Sequence, residues 1–147
     1  MDRKLKILLI EDNSDARELF ALVLKRGGFD VIEAANGFEA IELAHTDLPD
    51  LILMDLMMPK ISGDEATVQL KADPATKHIP IIVCTAAVRG EPLQRAMAAG
   101  AAKILLKPIN LKGLVEEVRE FLAGENNCSS DSTKPAPIDE LRLELFH

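Results

Sequence analysis

Unbroken apolar runs restrict this chain more than any other feature. "KILLI" (6–10), "LILM" (51–54), "IIVC" (81–84) and "KILL" (103–106) stand out, with "DVIEA" (30–34) as a weaker fifth. Runs this short are strands, and runs that do not alternate belong to strands covered on both faces, the habit of parallel sheets. The stretches between them carry helical patterns. In "SDARELFALVLKRGG" the residues Ala16, Leu19, Phe20, Val23 and Leu24 recur at i, i+3, i+4, i+7 and i+8, and Gly27-Gly28 supplies a stop. A second helix is expected over 36–47 with Phe38, Ile41 and Ala44 inward, a third over 63–73 ended by Pro74, and a fourth over 91–100 ended by Gly100. The fifth, over 110–124, carries the clearest stripe: Leu111, Leu114, Val115, Val118 and Leu122. Strict β-then-α alternation predicts an α/β domain, a five-stranded parallel sheet wound with helices on both faces.

With 147 residues and 48% apolar content the chain suits one domain over residues 1–123. "AGENNCSSDSTKPAP" then turns polar and reads as a linker over 124–137. "IDELRLELFH" (138–147) places Ile138, Leu141, Leu145 and Phe146 near one helical face, yet is too short for a stable helix alone. A frayed tail and a docked helix both stay open. The net charge of −7 argues against non-specific nucleic-acid or membrane binding. No apolar run approaches the roughly 20 residues of a membrane span, and the N-terminus has no signal-peptide pattern, so a cytoplasmic location is expected. Cys84 and Cys128 have no metal-like or redox-like spacing and read as unpaired thiols. His45, His78 and His147 are scattered and read as solvated.

In open parallel sheets, ligands gather outside the carboxyl ends of the strands. The first strand ends in Glu11-Asp12, the third in Asp55, the fourth in Thr85 and the fifth in Lys107-Pro108. Taken singly, each has an ordinary explanation: acids after a strand cap helices, Thr85 forms a turn, Lys107 is solvated. Taken together, three carboxylates converging on one crevice repel one another and call for a cation. Mg²⁺ fits, since it takes oxygen ligands, needs only one or two carboxylates and completes its shell with waters and phosphate oxygens.

"IEDN", "LILMDLMMPKISG", "CTA" and "LLKP" at these strand ends resemble the receiver domain of two-component response regulators, over about residues 4–123. The resemblance implies a flavodoxin-like sheet in the order 2-1-3-4-5. It implies Asp55 as the acceptor of a phosphoryl group from a histidine kinase or a histidine phosphotransfer protein. Glu11, Asp12, Asp55 and the backbone carbonyl of Met57 would hold Mg²⁺. Thr85 and Lys107 would contact the phosphoryl group, Pro108 would follow a cis bond, and Gly63 would shape the loop after the acceptor. A kinase would dock on the first helix. The signal would leave through the face built by the fourth helix, fifth strand and fifth helix, to a downstream protein that the sequence does not name, from a monomer or a phosphorylation-dependent dimer. No DNA-binding output unit fits in the remaining residues, and the start at Met1 favours a stand-alone regulator over a piece of a hybrid kinase.

Two positions depart from the family. Ile104 stands where a Tyr or Phe usually follows the threonine, which puts the usual readout in doubt. Met57 offers an attacking water no side-chain hydrogen bond, which predicts a longer-lived phosphoryl group. A haloacid-dehalogenase-type phosphatase would need an aspartate at Met57. A flavodoxin-type flavin binder would need a hydroxyl-rich loop at "EDNSDA", and a P-loop enzyme would need GK[ST]. A receiver-like interaction module without a phosphorylation response is the remaining alternative.

Overall fold

The computed structural model describes residues 4–56, 61–86, 90–107 and 109–127. Five strands, β1 (Lys6–Ile10), β2 (Asp30–Ala34), β3 (Leu51–Asp55), β4 (Ile81–Thr85) and β5 (Lys103–Leu106), alternate with five helices. The helices are α1 (Ser14–Arg26), α2 (Gly37–Asp47), α3 (Gly63–Ala72), α4 (Glu91–Ala99) and α5 (Leu111–Asn127). All strand pairs are parallel and the order is β2-β1-β3-β4-β5, as the resemblance implied. No helix among the described residues is long and apolar enough to cross a membrane.

The unbroken apolar runs are explained by two cores. Side chains alternate across a strand, so each run feeds both faces. Leu8, Ile10, Ile52, Met54, Ile81 and Val83 join Ala40, Ala44, Ala66, Leu70, Leu93 and Ala96 on one side. Ile7, Leu9, Leu51, Leu53, Ile82 and Cys84 join Ala21, Leu24, Leu114 and Val118 on the other. Every residue of β3 and of β4 is buried, as expected of central strands.

The register brings the carboxyl ends level. Ile10 lies beside both Ala34 and Met54, Asp55 beside Cys84, and Thr85 beside Leu106. Backbone bonds extend the alignment beyond the strands: Glu11 N donates to Ala34 O (3.1 Å), Leu56 N to Cys84 O (3.0 Å) and Lys107 N to Thr85 O (2.9 Å). Residues next to the strand ends are therefore fixed by the sheet ladder itself.

Two helical faces differ from the sequence expectation. In α1 the fully buried residues are Ala21 and Leu24, whereas Leu19 is 46% exposed. The inward stripe is rotated by about one residue, and it includes Arg17, whose Nη1 donates to the Glu11 carbonyl (2.7 Å). In α2 the buried face is Gly37, Ala40 and Ala44, and Phe38 is 59% exposed. Gly37 packs so closely on the Ile61 carbonyl that a Cβ would collide with it. The small residues three and seven positions on share that tight face, and Phe38 turns away from it.

Helix ends follow local chemistry. Asn13 and Asn36 cap α1 and α2 by accepting from Ala16 N (2.9 Å) and Glu39 N (3.0 Å), and the Glu39 carboxylate accepts in return from Ala35 N (2.8 Å). Gly100 closes α4 with φ 117°, a left-handed conformation that glycine adopts without strain. Helix α5 passes through Gly124 and ends at Asn127, beyond the expected boundary. A glycine inside a helix weakens it by about 0.5–1 kcal/mol rather than stopping it. The rest of the expected linker and the tail 138–147 lie outside the described residues.

Candidate functional site

Glu11 and Asp12 follow β1, Asp55 ends β3, Thr85 ends β4 and Lys107 follows β5. The sheet order places β1, β3, β4 and β5 side by side, so residues far apart in sequence share one edge. Glu11 and Asp55 are 5% and 6% exposed and Thr85 is 1% exposed, while Asp12 faces solvent. The ligand oxygens of Glu11, Asp12 and Asp55 lie within 4.8 Å of one another.

Lys107 is the counter-charge the acids need. Its Nζ lies 3.1 Å from Asp55 Oδ2 and 3.3 Å from Glu11 Oε1. Burial alone lowers a lysine pKa, but here the hydrogen bond and charge of Asp55, with those of Glu11, outweigh it and hold the ammonium above its usual value. Lys107 stays charged at any neutral pH. Glu11 behaves oppositely: burial, then the Asp55 charge, push its carboxyl up, and Lys107 only partly offsets them. Lys107 thus relieves Glu11 only in part. A cation with oxygen preference suits such a cluster, and these carboxylates could supply part of a Mg²⁺ shell.

The first acidic turn is held from outside. Arg17 Nη1 donates to the Glu11 carbonyl (2.7 Å) while its Nε bonds Glu33 (3.3 Å), and Asn13 N donates to Glu11 Oε2 (3.3 Å). The sequence reading missed Arg17. Its signal was available, an arginine one turn into the helix that follows an acidic pair, but nothing in spacing marks a bond to a carbonyl.

Beyond the acceptor, Gly63 is placed against β3. A Cβ there would collide with the Asp55 carbonyl oxygen and lie 2.7 Å from Leu56 Cα, and Gly63 N donates to Leu56 O (2.9 Å). Only glycine allows this approach. Met57 and Pro108 lie outside the described residues. Ile104 is 5% exposed and belongs to the apolar core with Leu93 and Ala96.

The remaining candidates from the sequence lie elsewhere. His45 is exposed yet paired: Nδ1 meets Ile41 O (2.9 Å) and Nε2 meets Asp73 Oδ2 (2.6 Å) across the ends of α2 and α3. His78 is exposed, and His147 and Cys128 lie outside the described residues. Cys84 is buried, and burial first, with the nearby acids, pushes its thiol up to about 12 despite Lys107. It is an inert core residue.

An acidic triad and a lysine at the carboxyl edge of a 2-1-3-4-5 sheet are the layout of a phosphate-handling signalling module, and sequence comparison gives the same class. Residues 7–119 match the family model of the response regulator receiver domain, and the chain belongs to that family. It is 37% identical over 117 residues to the polar-differentiation response regulator DivK of Brucella anthropi, covering 79% of this chain and 94% of that protein. Among solved structures it resembles a putative response regulator from Chloroflexus aurantiacus, with TM-score 0.76 and 31% identity over 82% of this chain and 99% of that one. It also resembles the receiver domain of a sensor histidine kinase from Pseudomonas aeruginosa, with TM-score 0.75 and 28% identity over 82% and 99%. That relative has a magnesium ion coordinated in its active site cleft. The chain is thus a signalling domain rather than a metabolic enzyme.

Proposed function

We propose that this receiver domain takes a phosphoryl group onto Asp55 from the phosphohistidine of a kinase or histidine phosphotransfer protein. Glu11, Asp12 and Asp55, with the carbonyl of Met57, hold Mg²⁺, and output is by contact with a downstream protein on the α4–β5–α5 face. The observation that carries this reading is the meeting of Asp55 with Lys107 and two further acids at the strand ends. In the reaction a carboxylate oxygen of Asp55 attacks phosphorus, an aspartyl O–P bond forms, and the histidine P–N bond breaks with its electron pair leaving on the imidazole. Lys107, which contacts Asp55 before the reaction, then pairs with the transferred group. The Thr85 hydroxyl bonds a phosphoryl oxygen. Mg²⁺ held by Glu11, Asp12 and Asp55 would supply positive charge that offsets the charge developing in phosphoryl transfer.

Incubation with acetyl phosphate and Mg²⁺ tests this. The expected result is the mass gain of one phosphoryl group, absent in Asp55→Asn and absent with a chelator. No gain with acetyl phosphate, phosphoramidate or a phosphorylated kinase overturns the reading. Buried Ile104 supports a second reading, an interaction module that ignores phosphorylation. A labelled protein with unchanged amide spectra away from the site would support that one instead.

A further inference from the structure

The segment after the acceptor strand carries a further buried carboxylate that the acidic triad does not use. Asp64, the second residue of α3, is 2% exposed. One of its oxygens accepts from Ser62 Oγ, and the other from Arg95 Nη1 at 2.8 Å. A carboxylate so removed from water is costly unless paired with a cation. Its cation stands on another helix: Arg95 belongs to α4, and its side chain is 49% exposed.

The pair closes a continuous path. Asp55 touches Gly63 through backbone atoms that leave no room for a Cβ. Gly63 is bonded covalently to Asp64, and Asp64 holds Arg95. A shift at the end of β3 therefore reaches Gly63, and with it the Asp64 carboxylate, through close backbone contact. The position expected to hold a movable aromatic is filled by Ile104, which is packed beneath α4 with Leu93 and Ala96 and has no polar group to follow the threonine.

We propose that Asp64 and Arg95 are positioning residues that carry the state of Asp55 to α4. The inference deepens the proposed function and rests on it. Two arrangements are available: Arg95 bound to Asp64, or Arg95 released into the solvent that already reaches half of it. Loading of Asp55 shifts the balance between them, and α4 moves with the arginine. By linkage, a partner that binds α4 in one arrangement shifts the equilibrium for loading Asp55 by the same factor.

Hydrogen exchange across residues 91–99, with and without beryllofluoride and Mg²⁺, tests the proposal, with acetyl phosphate labelling followed by mass in parallel. In the unaltered protein, exchange in α4 is expected to change several-fold on loading. In Asp64→Asn/Arg95→Gln the label should still attach, but α4 exchange should differ by less than twofold between states. Arg95→Lys, which keeps the charge, should regain most of the response; a pair that only held the fold together would show no such recovery. Should the double variant lose its far-UV signal, Arg95→Gln alone is read by the same criteria. A full loading response in the variant overturns the proposal, and so does a labelled unaltered protein whose α4 does not respond. An unaltered protein that takes no label fails the proposed function itself, and the inference falls with it.

Discussion

Gly63→Ala is the sharpest single-residue test of the acceptor's surroundings. Gly63 opens α3, where alanine is the better helix former by about 1 kcal/mol. Propensity alone therefore predicts a more stable protein. The packing predicts the reverse, because the new methyl meets the Asp55 carbonyl oxygen and lies 2.7 Å from Leu56 Cα. These are backbone atoms of a buried central strand and its extension, so neither can swing aside as a flexible side chain would. Overpacking of this kind costs about 1–3 kcal/mol, and rigid neighbours put it at the upper end. After the helix gain is subtracted, a net loss of about 2 kcal/mol remains. For a chain of 147 residues this lowers the thermal midpoint by about 4–8 °C. Gly113→Ala is the matched control: the added Cβ meets Asn110 Cβ at 3.7 Å and Cγ at 3.9 Å, both ordinary contacts. It should stabilise by about 0.5–1 kcal/mol. Urea denaturation of the two variants beside the parent reads both signs. A Gly63→Ala protein within 0.5 kcal/mol of the parent would refute the close-approach argument, and with it the first link of the path from Asp55 to α4.

The His45–Asp73 pair should be visible in a pH titration by NMR. The bond to Ile41 O, then Asp73, raises the imidazole above its ordinary 6.5, while the Ala75 amide, then His45, lowers Asp73 below its ordinary 3.8. The pair therefore adds stability between about pH 4 and 6.5, loses it as pH rises through the raised histidine value, and loses it again as pH falls through the depressed aspartate value. Asp73→Asn should bring the His45 midpoint back toward 6.5, and a midpoint already at or below 6.5 in the parent contradicts the bond. In a Cys128→Ser background the Cys84 thiol should resist Ellman's reagent at pH 8 until the protein is unfolded; rapid native reaction would mean that its burial is wrong. Ile104→Tyr, which installs the family's usual aromatic, should destabilise by about 1–3 kcal/mol because the site is filled and dry. A neutral outcome would show that the core beneath α4 has room for the ring.

The strands were legible because hydrophobicity in this chain is written in unbroken runs, and a strand covered on both faces leaves that mark and little else. The cluster at the strand ends was legible for the same reason, since Glu11, Asp55, Thr85 and Lys107 each sit directly where a run stops and Asp12 one residue on. Helix faces were harder. Phe38 looks inward by periodicity, but the spacing of α2 from its neighbours is set by Gly37 on Ile61, and small residues win that face. Pairs across the fold left no trace at all. Asp64 and Arg95 are 31 positions apart and His45 and Asp73 are 28 apart, each residue sitting on a polar-looking stretch of a helix or, for Asp73, just past its end. Such partners become visible only when two helices are set side by side on one face of a sheet.

The contact between Glu11 and Lys107 spans 96 residues, nearly the length of the domain, and the lysine follows an edge strand that is last in sequence. During synthesis the three acids are therefore released long before their ammonium. A nascent chain that has reached α4 carries the residues of four strands, yet its acidic cluster lacks Lys107 and the Thr85 edge lacks β5. Any proteolytic fragment that ends before residue 103 is in the same condition. Completion of the sheet and charge pairing of the acidic cluster are thus one event.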